Sequence, residues 1–169
     1  MKNIVLTGFM ASGKTSVGSE IARISKLEFI DTDALIEQEL NMTVSKIFEK
    51  FGEEFFRKKE KEVINRVSNS QGAVIATGGG AVLDKENMQN LRKNGVIFNL
   101  EPTITIMLTR LSNDSGLRPL AQAGWQDLMT RFGERKPFYD DCDYKIHITE
   151  ETTPRDIAIE IISKMKGID

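Results

Sequence analysis

Gly8-Phe9-Met10-Ala11-Ser12-Gly13-Lys14-Thr15 follows the short apolar run Asn3–Thr7 and leads into Lys14–Ser25, where Val17, Ile21 and Ile24 recur at helical spacing. The eight residues match G-x-x-x-x-G-K-[ST], set between a strand and a helix as that pattern requires. Its glycines let backbone amides turn inward around phosphate oxygens at the positive end of a helix dipole. In such a loop Lys14 reaches the β- and γ-phosphates and Thr15 holds Mg²⁺. A plain glycine turn with a solvated lysine is the competing reading, and the strand–loop–helix context argues against it.

Outward from this loop, strand-like and helix-like segments alternate, the mark of an α/β fold with a mostly parallel sheet. Glu28–Asp31 is a second strand ending on acidic residues. Thr43 caps a helix with Val44, Ile47, Phe48 and Phe51 on one face, and Gly52 ends it. Residues 53–67 form a longer charged helix. Ala73–Ala76 is a buried-type strand running into Thr77-Gly78-Gly79-Gly80. Residues 85–93 are helical, and 96–100 form another strand. Residues 103–111 fit either period; Pro102 and the shared face of Ile104, Leu108 and Leu111 favour a helix. Residues 112–124 are polar and glycine-containing, the composition of a mobile loop. A helix at 125–132, with Trp125, Leu128, Met129 and Phe132 as its core face, a strand at 145–148 and the helix Pro154–Met165 complete the chain.

The 169 residues suit one domain, with no repeat or linker. A net charge of −2 offers no general attraction to nucleic acid or to anionic membrane, so an anionic ligand needs a local Arg/Lys cluster. One cysteine, Cys142, allows no internal disulfide and fits a reducing compartment. No apolar stretch is long enough for a membrane span, and a cytoplasmic protein is expected.

Other residues gain meaning from their place near the loop. Asp31-Thr32-Asp33 ends a strand, over the ligand crevice of a parallel sheet. Its two carboxylates point different ways, so one can face Mg²⁺ through water while the other takes a proton from an acceptor hydroxyl. A helix N-cap explains them equally well. Arg57 and Glu60 share a helix face and read as an ordinary i,i+3 pair. The glycine triplet is either a flexible strand exit or a place where backbone approaches a ligand. His147 and Cys142 have no partner motif and read as structural.

Taken together, the loop, Phe29-Ile30-Asp31-Thr32-Asp33, Gly52-Glu53-Glu54-Phe55-Phe56-Arg57-Lys58-Lys59-Glu60 and Ala76-Thr77-Gly78-Gly79-Gly80-Ala81-Val82 resemble shikimate kinase. Arg118-Pro119-Leu120 and Arg135-Lys136-Pro137-Phe138-Tyr139 extend the resemblance in the family's order over essentially the whole chain. It implies a three-layer P-loop kinase fold: a five-stranded parallel sheet, helices on both faces, and a mobile lid at about 112–124. ATP and shikimate are the implied substrates, Mg²⁺ the cofactor, and a monomer the state; neither nucleic acid nor membrane is a partner.

By that resemblance Gly8, Ala11, Ser12, Gly13, Lys14, Thr15 and Ser16 bind ATP phosphates, with Thr15 on Mg²⁺ and Asp31 reaching it through water. Asp33 contacts the shikimate hydroxyls and is the base. Arg57 and Arg135 hold the carboxylate, a task suited to a bidentate guanidinium. Glu60 orients Arg57, Gly78, Gly79 and Gly80 approach the substrate, and the substrate-binding region spans about 33–61. Val44, Phe48 and Phe56 form its apolar wall, or are simply core. Arg118 is the lid arginine that reaches the transferring phosphate; Arg110, Thr152 and Pro154 resemble adenine-side contacts. The family's lid pattern usually reads Arg-Pro-Leu-Leu, and here Ala121 replaces the last leucine in a span one residue longer. The nearest rival is another small-molecule kinase such as gluconate kinase; a second is a catalytically silent homologue that senses metabolite or nucleotide. Lys14, Asp33 and the arginines that such a homologue would lose are all present.

Overall fold

A computed structural model describes residues 1–113 and 125–168. Five parallel strands, β1 (Asn3–Thr7), β2 (Glu28–Asp31), β3 (Ala73–Ala76), β4 (Gly95–Pro102) and β5 (Tyr144–Ile148), lie in the order β2-β3-β1-β4-β5. The chain leaves β1 for one edge, returns to its side as β3, then crosses to the other side as β4. The crevice between diverging connections therefore opens at the carboxyl end of β1, where such sheets bind ligands.

Alternation along the strands divides the interior into two layers. Ile4 and Leu6 face one side and Val5 the other, all nearly fully buried. Behind Ile4 and Leu6 pack α1 (Lys14–Ser25), through Val17 and Ile21, and the last helix, α7 (Pro154–Met165), through Ile157, Ala158 and Ile161. Behind Val5 pack α2 (Thr32–Leu40), α3 (Val44–Val67), α4 (Lys85–Asn94), α5 (Ile104–Asn113) and α6 (Trp125–Tyr139). Each buried aliphatic contributes about 1.5–3 kcal/mol, so the two layers supply most of the drive to fold.

Three features differ from the sequence reading. Residues left unassigned by periodicity form α2, whose single large buried side chain, Ile36, leaves little periodic signal. The helix at 125–132 continues to Tyr139 through Pro137. Pro137 lacks an N–H to bond, and the extension is anchored by Tyr139, which is buried against the Val5 layer. Of the expected lid, Ser112 and Asn113 belong to α5, while the rest, with Arg118 and Ala121, lies outside the described residues. The ambiguous segment at 103–111 is indeed helical. Gly52 interrupts α3 with φ 81° and ψ 171°, so the expected break is present inside a continuous element.

Candidate active site

The loop after β1 folds back on itself because Gly8, Ala11 and Gly13 carry positive φ, at 149°, 59° and 93°. Lys14 Nζ donates to the carbonyls of Gly8 (2.8 Å) and Phe9 (3.1 Å) and to Ser12 Oγ (3.2 Å). Burial pushes its amine down to about 8, against the pull of the Asp33 and Asp31 carboxylates. The cation thus sits on the loop, beside two anions at the strand ends.

Asp31, Thr32 and Asp33 each have a separate task. Asp31 Oδ1 accepts from the Asp33 and Ala34 amides and caps α2, while its Oδ2 accepts from Thr15 Oγ1 at 2.9 Å. The capping reading of this carboxylate therefore holds, and it leaves the second oxygen on Thr15. The Thr15 hydroxyl and Asp31 carboxylate are hard oxygen donors, the set that suits magnesium bound mainly through phosphates and water. Thr32, fully buried, accepts from the Gly78 amide at 3.1 Å and ties the start of α2 to the glycine triplet. Asp33 lies half-buried, and its Oδ1 has no donor among the described residues. Burial, then the neighbouring Glu60 and Asp31, push its carboxyl up to about 6, while Lys14 and Arg57 oppose the shift. A proton acceptor near neutrality is what base catalysis needs.

Glu60 is 1% exposed, far from a surface pair. Its Oε2 accepts from Arg57 at 2.8 Å, and Glu53 Oε1 accepts from another edge of the same guanidinium at 3.2 and 3.3 Å. The rings of Phe56 and Phe48 lie 5.4 and 6.0 Å from that cation and 4.7 Å from each other. Phe56 belongs to the core layer, and Phe48 and Val44 pack against it half-buried. Burial raises the Glu60 carboxyl, with Arg57 and Arg135 pulling the other way.

The glycine triplet makes this convergence sterically allowed. A Cβ on Gly78 would lie 2.5 Å from Asp33 Oδ1 and 2.9 Å from Glu60 Oε1; one on Gly80 would lie 2.4 Å from both terminal nitrogens of Arg57. The strand exit is a close-approach site rather than a flexible hinge.

On the other side of the loop, a cleft of about 350 Å³ is lined by Ala11, Ser12, Gly13, Ser16, Val17, Arg110, Pro154 and Ile157. Arg110 donates to the Ala11 carbonyl at 3.0 Å. Thr152 is absent from this lining, and its hydroxyl bonds the backbone of Thr149. Away from the site, His147 Nδ1 lies 3.2 Å from Glu101, and burial raises the Cys142 thiol, in keeping with structural roles. Sequence reasoning missed Thr32 and the Tyr139 hydroxyl. Thr32 lay hidden between two conspicuous acids, and Tyr139 was read only as part of a motif.

A glycine-rich loop carrying a lysine, at the switch point of a parallel sheet and near a half-buried carboxylate and a guanidinium, defines an ATP-dependent small-molecule phosphotransferase. The shikimate kinase profile matches residues 10–166. The chain is 47% identical over 165 residues to shikimate kinase from Caldicellulosiruptor bescii, covering 96% of this chain and 95% of that protein. It is 45% identical over 172 residues to shikimate kinase from Caldanaerobacter subterraneus subsp. tengcongensis, covering 99% of each. A structure of shikimate kinase from Acinetobacter baumannii in complex with shikimate superposes with a TM-score of 0.89 at 34% identity, covering 100% of this chain and 95% of that one. This chain belongs to the shikimate kinase family.

Proposed function

We propose that this protein transfers the γ-phosphoryl group of ATP to the 3-hydroxyl of shikimate, with Mg²⁺, as a single domain. The observation that carries the reading is the convergence of Asp33, Arg57 and Glu60 on the glycine triplet beside the phosphate loop. Lys14, Ser12, Ser16 and the loop amides hold the phosphates. Arg110 and Pro154 flank the base, since both line the cleft beyond Gly13. Thr15 and Asp31 would hold magnesium, which would neutralise phosphate charge. Arg57, oriented by Glu60, and Arg135 take the substrate carboxylate, a planar anion matched to the guanidinium fork. The Gly79 and Gly80 amides and the Phe48 and Phe56 rings complete the acid pocket.

Asp33 then removes the proton from the attacking hydroxyl. The new P–O bond forms as the bond from the γ-phosphorus to the β,γ-bridging oxygen breaks, and ADP leaves with the electron pair. Arg118 neutralises charge on the moving phosphoryl group. Positioning and electrostatics supply the rate, so no phosphoenzyme is required.

Among the described residues no helix is long and apolar enough to cross a membrane; action as a cytoplasmic monomer accords with this reading. Coupled ADP release with shikimate, gluconate and quinate, each with and without EDTA, tests it. Turnover with shikimate alone, abolished by EDTA, is expected. Turnover with gluconate but not shikimate refutes the substrate assignment.

A further inference from the structure

We infer that the Tyr139 hydroxyl is a positioning group for the acid-binding half of the site, holding the Gly79–Gly80 peptide and the Arg135 guanidinium in register. The inference rests on the proposed role of Arg135 in binding the substrate carboxylate. Tyr139 ends α6 and is 4% exposed. Its hydroxyl donates to the Gly79 carbonyl, and Arg135, one helical turn earlier on the same helix, is near enough for its charge to act on the phenol. A phenol suits this place, because an oxygen that donates to a carbonyl can still accept from a nearby guanidinium. Burial raises the phenol's proton affinity, so the donating form persists at neutral pH.

The contact with Gly79 reaches further than one carbonyl. A trans peptide is planar, so fixing the Gly79 C=O also fixes the opposed N–H of Gly80. Neither glycine has a side chain with which to hold that plane. Tyr139 is held in turn by Phe9 of the phosphate loop, whose ring meets it edge-on at 6.2 Å and 89°. The ring belongs to the packing, while the hydroxyl alone touches the acid site. Tyr139→Phe separates the two.

The test is steady-state kinetics of Tyr139→Phe, Arg135→Ala and the double variant, with thermal melting of each. Tyr139→Phe should raise KM for shikimate about tenfold, the order of one lost hydrogen bond to a charged group, and leave KM for ATP within about twofold. In the Arg135→Ala background the same substitution should raise KM by a clearly smaller factor, because the two side chains act as a unit. Unchanged KM for shikimate in Tyr139→Phe, equal increases for both substrates, or full additivity in the double variant overturns the inference. Unchanged shikimate affinity in Arg135→Ala instead overturns the acid-site reading on which it rests.

Discussion

Gly80→Ala is the sharpest probe of the acid site, because it adds one methyl group and removes no hydrogen-bonding atom. The added carbon would sit 2.4 Å from both terminal nitrogens of Arg57, whereas ordinary contacts begin at 3.4 Å. The guanidinium must therefore retreat by about 1 Å, and a displacement of that order in a binding array costs up to about a hundredfold. Glu60, Glu53 and the Phe56 ring resist the retreat, so the strain falls on the geometry that meets the substrate. Gly80 has φ −96°, which alanine adopts freely, so the backbone itself adds little penalty. KM for shikimate should rise about 10- to 100-fold, equivalent to about 1.4–2.7 kcal/mol, with KM for ATP nearly unchanged. The assay is initial-rate ADP release with each substrate varied in turn, beside a thermal melt to confirm folding. A folded Gly80→Ala enzyme with the parent's shikimate KM would refute the idea that this glycine exists to admit Arg57.

Three further outcomes are expected. Lys14→Met should abolish transfer yet leave the protein folded, since among the described residues the amine hydrogen-bonds only its own loop; a folded variant with normal turnover would contradict the phosphate role. The profile of kcat/KM against pH should fall on the acid side near pH 6 as Asp33 gains its proton, and on the alkaline side near pH 8 as Lys14 loses its own. The stability linked to Asp33 has its own sign: its folded value exceeds the unfolded 3.8, so its contribution is complete below that pH and is lost as pH rises through about 6. A flat rate profile between pH 5 and 9 would show that neither group acts in the ionisation states assigned. Arg118→Ala should lower kcat by about 10³-fold, as for other cations on a transferring phosphoryl group, with little change in shikimate affinity; a large loss of affinity at constant kcat would place Arg118 on the acid instead.

The phosphate loop could be read directly from the chain because its chemistry is local. Eight contiguous residues, a strand before and a helix after are enough to aim amides at phosphate. The strands and the larger helices were legible for a similar reason: their hydrophobic periods repeat within a few residues. Helix α2 escaped because Ile36 is its one large buried side chain, and a period needs more than one point.

The acid site is a different case. As sequence, Arg57 and Glu60 have the spacing of a weak exposed pair, and only packing makes Glu60 a buried acid bonded to Arg57. Asp31 reads as a cap or as a metal-side carboxylate; in the fold one oxygen caps α2 and the other accepts from the Thr15 hydroxyl. Thr32 and Gly78 meet across 46 residues, and Tyr139 and Gly79 across 60. Contacts of that span leave no period or spacing in the chain. The residue types needed for phosphoryl transfer were written in the sequence; the proton affinity of Asp33 and the orientation of Arg57 were decided by the tertiary structure, because burial and neighbouring charge arise only when distant segments are brought together.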